Sequence, residues 1–147
     1  MADATPETFD PKLETLLAAG RLGVLATLKR DGRPQLSTIS YHFDPATRLV
    51  RVSITDTRAK TRNLRRDPRT SLHVSGADGW QYVVAEGTAE LTPTAQASDD
   101  ATVDALVDLY RTIGGEHPDW DEYRAAMVAD ERLVLRLPVE RMYGMAG

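Results

Sequence analysis

Apolar and polar residues alternate along much of the chain, and this period of two residues predicts β-strands. Residues 24–28 and 36–41 have strand composition and flank Asp31-Gly32, a dipeptide that favours a tight hairpin turn. Residues 49–54 carry apolar side chains at alternate positions and predict a third strand. We expect these three consecutive strands to pair with one another as an antiparallel meander.

The second half of the chain contains three further strand patterns. Residues 71–74 and 82–91 return to a period of two, and residues 76–79 between them have turn composition. Residues 133–137 form the last strand pattern, and Pro138 is expected to end it because proline lacks an amide donor. Strands joined by hairpins, without alternating strand and helix units, favour a closed or nearly closed antiparallel barrel of about five or six strands.

Helix signals lie before, between and after these strands. Asp10 is a candidate cap for a short first helix, and Gly20 is expected to stop it. Asp99 or Asp100 begins an amphipathic helix that is predicted to end at residues 114–115. A last helix is predicted to begin near Asp119. We therefore expect a mainly β protein with flanking helices.

Composition narrows the function classes. The chain has 147 residues, a length that suits one domain over residues 1–147, with residues 1–9 expected to be a flexible start. It has no cysteine, which excludes disulfides and a cysteine nucleophile, and its three histidines are scattered, so we expect no metal site. No apolar run approaches the roughly 18 residues that cross a membrane, and no signal-peptide pattern is present. We expect a cytoplasmic protein without a membrane partner.

The most unusual feature of the chain is a basic run from Arg58 to Arg69. It holds six of the 18 Lys and Arg residues of a chain whose formal net charge is −4. Thr55, Asp56 or Thr57 is a candidate cap, and an Asp-Pro pair closes the run, which predicts a helix of about two to three turns. A positive segment on a negative protein indicates an anionic ligand.

The start of this helix is suited to a phosphate. Unpaired amides at a helix N-terminus and the charges of Arg58 and Lys60 would act on the same oxygen atoms. The alternative is a solvated basic face that pairs with acidic neighbours. Nucleic-acid binding is a further alternative, but the net charge of −4 and the lack of a recognised reading motif argue against it. We expect no nucleic-acid partner.

Five further residues are candidates for contact with a ring-bearing ligand. Gln35, Ser37 and Ser53 are polar residues on predicted strands and offer hydrogen bonds to a heterocycle, unless that strand face is simply in water. Trp80 and Tyr82 follow a turn, where they could lie against a planar ring or belong to a core or an interface. No nucleophile with an adjacent base is evident, so we assign no catalytic residue.

Several short motifs along roughly residues 13–144 carry a resemblance to a known family. In chain order the principal ones are Gly23-Val-Leu-Ala-Thr27, Asp31-Gly-Arg-Pro-Gln-Leu-Ser37, Tyr41-His-Phe-Asp-Pro45, Arg58-Ala-Lys-Thr-Arg-Asn-Leu-Arg-Arg-Asp-Pro68, Gly79-Trp80 and Ala85-Glu-Gly-Thr-Ala89. In this ordered set the chain resembles the pyridoxamine phosphate oxidase-like flavin and deazaflavin proteins. The resemblance is greatest to the actinobacterial branch that uses coenzyme F420.

This resemblance implies a six-stranded antiparallel split β-barrel, a homodimer, and a cofactor bound at the dimer interface. It also implies an F420-dependent reductase that transfers a hydride from the reduced deazaflavin to an activated C=C or quinone-like small molecule. Nine residues would contact the cofactor. Arg58 and Lys60 would bind its phosphate with Thr61 and Asn63 nearby, Gln35, Ser37 and Ser53 would line the ring and ribityl region, and Trp80 and Tyr82 would lie near the ring edge or tail.

Two other functions remain open from the sequence. The same barrel can hold FMN, which has one phosphate and no glutamate tail, as in an FMN-binding oxidoreductase of the wider family. The lack of an evident proton donor is also compatible with a non-catalytic F420 carrier or sensor. The identity of the substrate is not readable from the residues.

Overall fold

A computed structural model describes residues 9–147 and defines the helices and strands that position the site. The expected flexible start at residues 1–9 lies, except for Phe9, outside the described residues. The helices are α1 (Pro11–Ala19), α2 (Ala59–Arg66), α3 (Ala101–Gly114) and α4 (Trp120–Ala129). The strands are β1 (Leu22–Leu28), β2 (Pro34–Ser40), β3 (His42–Asp44), β4 (Leu49–Thr55), β5 (Arg69–Ser75), β6 (Tyr82–Thr88), β7 (Glu90–Leu91) and β8 (Arg132–Met145).

The strands form one antiparallel sheet whose two edges are joined by the chain itself. The order is β2-β1-β5-β6-β8-β4-β3, with β7 paired to β8. Only Tyr41 separates the two edge strands β2 and β3, so the sheet curls into a nearly closed barrel. This confirms the mainly β split barrel with flanking helices. The described strands exceed the predicted six because β2 and β3 are one strand bent at Tyr41 and β7 is very short.

The bend at Tyr41 corrects the predicted meander. The hairpin of β1 and β2 is confirmed, but β4 pairs with β3 and β8 rather than with β2. The Tyr41 side chain is buried, and its hydroxyl donates a hydrogen bond to the carbonyl of Leu17 at 2.6 Å. Its amide donates to the carbonyl of Arg21 at 2.9 Å. These contacts hold the chain at the point where it leaves β2, the partner of β1, and enters β3, the partner of β4.

The last strand continues past Pro138, so the prediction that this proline ends the strand was wrong. Pro138 lies opposite Leu49, at the end of the β4 pairing, and from Val139 the strand pairs with β6. The register with β6 shifts between Glu86 and Gly87. Proline is tolerated here because β8 changes partner at this point, where a missing amide donor disrupts the ladder least.

Two hydrophobic clusters fill the structure. The larger one occupies the barrel interior and includes residues from most strands together with Leu17 of α1 and Leu64 of α2. The smaller one lies outside the barrel, where α3 and α4 pack on β8. Its buried members are Ala95, Val103, Leu106, Val107, Met127 and Val134. The barrel and the pair α3–α4 therefore have separate apolar clusters.

The caps of α1, α3 and α4 follow the sequence signals. Each of these helices begins after an aspartate whose carboxylate accepts a backbone amide. The bonds run from Lys12 to Asp10 at 2.9 Å, from Val103 to Asp100 at 2.8 Å and from Glu122 to Asp119 at 3.1 Å. The helix α3 ends at Gly115, whose φ of 81° is readily adopted only by glycine. The predicted starts of these helices are thus confirmed.

Gly87 supplies a test of the junction between β6 and β8. A Cβ added at Gly87 would overlap the carbonyl oxygen of Pro138 and would approach Leu137 Cδ1 to 2.9 Å. Gly87→Ala is expected to lower the free energy of unfolding by about 1–3 kcal/mol, because the backbone must move to admit the methyl group. Urea denaturation measures the change.

Gly114→Ala is the matched control, since the nearest atom to an added Cβ there is Tyr110 Cε1 at 3.8 Å. Alanine favours the helix, so this variant should be at least as stable as wild type. Wild-type stability in Gly87→Ala would contradict the close backbone approach.

Candidate anion-binding site

The basic run forms α2, but its cap differs from the prediction. The N-cap is Arg58 rather than Thr55, Asp56 or Thr57, and no side chain caps the helix. Instead the carbonyl of Thr55 accepts the amide of Arg58 at 3.2 Å and the hydroxyl of Thr61 at 2.7 Å. This arrangement fixes the turn between β4 and α2. It leaves the start of α2 without the carboxylate or hydroxyl that usually occupies a helix N-terminus.

Contacts within the chain divide the basic run into two parts. The four later arginines all have partners on the protein: Arg62 with the Thr57 carbonyl, Arg65 with Asp56, Arg66 with the Leu28 carbonyl and Arg69 with Asp67. Within residues 9–147 the side chains of Arg58 and Lys60 have no hydrogen bond or ion pair. The alternative of a basic face paired with acidic neighbours thus describes the later arginines and not the first two cations.

Arg58 and Lys60 border a cavity of about 640 Å³. Its walls are the outer face of β4, the start of α2, the start of β8 and the facing parts of α3 and α4, and the end of β2 closes one side. Among residues 9–147 three cations line it, namely Arg58, Lys60 and Arg132, and no carboxylate does. Its volume is in the range of pockets that bind cofactors and drug-sized ligands.

The cations of the cavity repel one another. Burial lowers the pKa of Lys60, and the positive charges of Arg58 and Arg132 lower it further. The Nε atom of Arg132 is buried and has no hydrogen-bond partner within residues 9–147. Positive charge with unused donors in one cavity is the arrangement that an anionic ligand would stabilise.

Strand register explains why these side chains share a cavity. Thr55 pairs with Arg132 and Ser53 pairs with Val134 in the antiparallel ladder of β4 and β8. Directly paired residues point to the same face of a sheet, and here the alternate residues such as Ile54 are buried in the barrel. Ser53, Thr55 and Arg132 therefore face outward beneath α3 and α4.

Aromatic side chains form the wall opposite the strands. Tyr110, His117, Trp120 and Tyr123 form one cluster, with ring centroids 5.0–5.7 Å apart. Tyr110 and Tyr123 line the cavity. The hydroxyl of Tyr123 donates to the Leu106 carbonyl at 3.2 Å, and burial raises the pKa of this phenol. This wall offers apolar and aromatic surface beside the cations.

The structure brings together three of the nine predicted cofactor residues, Ser53, Arg58 and Lys60. Thr61 and Asn63 lie on the inner side of α2, where both are buried. Thr61 donates to Thr55, as described above, and the Asn63 amide donates to the Thr27 hydroxyl at 3.1 Å. Their observed contacts stabilise the helix position, and their part in cofactor binding stays a prediction.

Four predicted residues lie away from this cavity. Gln35 and Ser37 are half-buried on β2, and the Oγ atom of Ser37 is buried without a partner within residues 9–147. Trp80 is 82% exposed in the turn between β5 and β6. Tyr82 stacks on His73, with ring centroids 5.5 Å apart. Within residues 9–147 the fold does not bring these four side chains to the cations.

Sequence reasoning missed Arg132, Tyr110 and Tyr123. Arg132 precedes the predicted strand at residues 133–137. Its position opposite Thr55 depends on the pairing of β4 with β8, which no local sequence pattern predicts. Tyr110 lies on the apolar stripe of α3, for which the sequence predicts an amphipathic helix and no site residue. A phenol near the end of such a stripe is the signal that could have indicated a cavity wall.

Two other properties of residues 9–147 limit the chemistry. No group of three or more His, Cys, Asp or Glu side chains in this part of the chain is arranged to hold a metal ion. None of its helices is both long enough and apolar enough to span a bilayer.

Comparison with known proteins gives relatives of similar length. The F420H(2)-dependent biliverdin reductase of Mycobacterium tuberculosis (strain CDC 1551 / Oshkosh) is 27% identical over 146 residues, which is 99% of this chain and 94% of that protein.

Solved structures show the same fold at lower identity. An F420 reductase superimposes with a TM-score of 0.66 at 23% identity, over 95% of this chain and 98% of that chain. A conserved hypothetical protein of Mycobacterium tuberculosis gives a TM-score of 0.70 at 22% identity, over 99% of this chain and 89% of the other.

The family model described as pyridoxamine 5′-phosphate oxidase matches residues 9–146, nearly the whole chain. The nearly closed antiparallel barrel and the cationic cavity beside it agree with the resemblance that the motifs indicated. The chain belongs to the pyridoxamine 5′-phosphate oxidase family.

Proposed function

We propose that this protein is an oxidoreductase that uses reduced coenzyme F420 to reduce an activated C=C bond or a quinone-like small molecule. The observation that carries the proposal is the pair of unneutralised cations, Arg58 and Lys60, at the uncapped start of α2. A 27% identical relative of almost equal length is named for an F420H(2)-dependent reaction. The two cations support the binding of a phosphate, and the relative supports F420 as the coenzyme that carries it.

The residues of the cavity fit a phosphate-bearing coenzyme. A guanidinium and an ammonium with no partner among residues 9–147 can bind phosphate oxygens by charge-assisted hydrogen bonds. Ser53 adds a hydroxyl to the same lining, and the start of α2 adds a favourable dipole. When bound, the deazaflavin would supply the hydride, whereas the chain positions the ligands and excludes water.

The aromatic wall of α3 and α4 contributes orientation and shielding. Tyr110, Ile113 and Met127 present apolar surface to the cavity. Such a surface suits a planar organic ligand and keeps water away from it. The hydroxyl of Tyr123 already donates to Leu106, and Glu86 lies outside this cavity, so we assign no catalytic acid.

FMN is the second candidate coenzyme. The family model is named for pyridoxamine 5′-phosphate oxidase, and FMN also carries a phosphate that Arg58 and Lys60 could bind. The cavity cations do not separate the two coenzymes, because both have a phosphate. Identification of the molecule that co-purifies from a host that makes F420 and FMN separates them.

We also propose a homodimer. The outer face of the sheet exposes large apolar residues, namely Leu22 at 65%, Leu36 at 63%, Tyr143 at 49% and Met145 at 62%. The register of β1, β2, β5, β6 and β8 puts all four on one face. Apolar residues grouped on one exposed sheet face mark an interaction surface. With a second subunit on this face, Trp80 and Tyr82 would lie beside a groove between the two subunits.

The first test concerns coenzyme binding. Lys60→Met and Arg58→Met are each expected to weaken F420 binding by about 10- to 100-fold, because each removes a charge-assisted hydrogen bond to phosphate. Fluorescence titration measures the dissociation constants. Arg69→Met is the control from the same run, because Arg69 is already paired with Asp67.

Equal affinity in Lys60→Met and wild type would remove the basis of the phosphate assignment. Turnover separates an enzyme from a carrier: reduced F420 should be oxidised steadily when biliverdin, a quinone or an activated enone is added. A protein that binds F420 tightly but oxidises it with none of these acceptors would be a carrier or sensor.

The second test concerns the stability of the ligand-free protein. The lowered pKa of Lys60 means that its proton is bound less tightly in the folded state than in the unfolded chain. At neutral pH the charged Lys60 therefore lowers the free energy of unfolding. This loss of stability disappears as the pH rises from the lowered pKa of the folded state toward the usual value of about 10.4 in the unfolded chain. Lys60→Met should raise the melting temperature at neutral pH, with a smaller gain at pH about 10.

Exposed Lys29 provides the matched control for this comparison, and Lys29→Met should leave the melting temperature nearly unchanged at both pH values. A loss of stability in Lys60→Met at neutral pH would show that Lys60 stabilises the fold rather than opposing it.

The third test concerns the dimer. Leu36→Glu places a charge on the exposed sheet face and should convert a dimer into a monomer in sedimentation velocity runs. Ser98→Glu adds the same charge at an exposed position outside the sheet and should leave the dimer intact. A monomeric wild-type protein at micromolar concentration would contradict the proposal.

A further inference from the structure

Of the three cations that residues 9–147 contribute to the cavity, Arg132 is the one outside the basic run. Its Nε atom is buried, and its guanidinium has no hydrogen bond or ion pair within residues 9–147. A buried charged donor without a partner opposes folding, and such groups in native proteins usually have a ligand or a catalytic use. The neighbouring Arg136 lies on the same strand and face but lines a different cavity.

The main chain around Arg132 is held in place from both sides. Arg132 pairs with Thr55, and its carbonyl accepts the amide of Ala95 at 2.8 Å. The preceding residue, Glu131, has a φ of 53°, an uncommon backbone conformation for a residue other than glycine, and its carbonyl accepts the amide of Asp56 at 2.9 Å. The position of the guanidinium is thus set by the junction of β4, β8 and the loop before α2.

The charge of Arg132 affects side chains on two sides of the cavity. Its charge acts on Lys60 on one side and on the phenol of Tyr123 on the other. The part of the chain that the structure describes places no carboxylate in the lining that could neutralise it. Asp56, the acid of the adjacent loop, is already paired with Arg65.

We propose that Arg132 is a third ligand-binding cation, which binds an anionic oxygen of the same molecule whose phosphate contacts Arg58 and Lys60. This inference rests on the proposed function. Coenzyme F420 offers two sources of such an oxygen, the phosphate itself and the carboxylates of its glutamate tail. Three cations facing one cavity match a ligand with more than one negative charge better than a lone phosphodiester, which carries about one.

Three ligands separate the possible sources in one titration series. They are complete F420, the methyl ester of the deazaflavin phospholactate, which keeps the phosphodiester but has no carboxylate, and the deazaflavin riboside with neither phosphate nor tail. Arg132→Met should weaken binding of complete F420 by about tenfold and leave binding of the riboside within about twofold of wild type. Arg136→Met is the matched control and should bind all three ligands as wild type does.

The middle ligand assigns the contact. A tenfold loss that persists with the phospholactate methyl ester places Arg132 on the phosphate, and a loss that disappears places it on the carboxylates of the tail. Arg132→Lys retains the charge with fewer donors and should have intermediate affinity for F420. Arg132→Lys is the test variant if Arg132→Met does not fold. Thermal melts check the folding of every variant.

The outcomes distinguish this inference from the function on which it rests. If wild type binds F420 and Lys60→Met weakens binding while both Arg132 variants match wild type, only the role of Arg132 is overturned. An equal loss for riboside and F420 would also overturn it, because that pattern indicates a structural residue. If wild type binds none of the phosphate-bearing ligands, the proposed function and the inference fail together.

Discussion

The antiparallel register between β4 and β8 is the constraint on which the site depends. Ile54 and Leu133 are buried in the barrel at 1% and 0% exposure, whereas the alternating residues Ser53, Thr55 and Arg132 face outward. A shift of one residue would exchange these two sets and place a charged side chain in the core. Hydrophobic burial inside the barrel therefore maintains the polar geometry outside it. The geometry of the cavity thus depends on the packing of the barrel core.

Local chemistry was sufficient to predict most helices and strands but not how the strands meet. Asp100 and Gly115 define α3 through side-chain and backbone effects that act within a few residues. The bend at Tyr41 and the passage of β8 through Pro138 depend on partners distant in sequence. In the site, Arg58 and Lys60 were identified by charge pattern and resemblance, whereas Arg132 required knowledge of register. Residues whose role arises from strand pairing remain hidden in a single sequence.

The residues of the basic run differ in their contacts. Arg66 binds the Leu28 carbonyl of β1 and helps to hold α2 on the barrel, whereas Arg62 and Arg69 bind groups next to α2. Within residues 9–147 Arg58 and Lys60 have no such contacts, and the burial of Lys60 beside the charge of Arg58 opposes folding. The apolar interior offsets this local penalty. A charge count alone cannot separate the two kinds of residue, because the difference lies in the available partners.

The separate hydrophobic cluster beneath α3 and α4 has a consequence for how this architecture can diversify. Its members, among them Val107, Met127 and Val134, support the aromatic wall but do not belong to the barrel core. Substitutions in this cluster can reshape one side of the cavity while the barrel and the cationic side keep their geometry. The fold thus combines a fixed side for a shared chemical group with a variable side for different partners. Ligand preference can change along a lineage without the barrel having to be rebuilt.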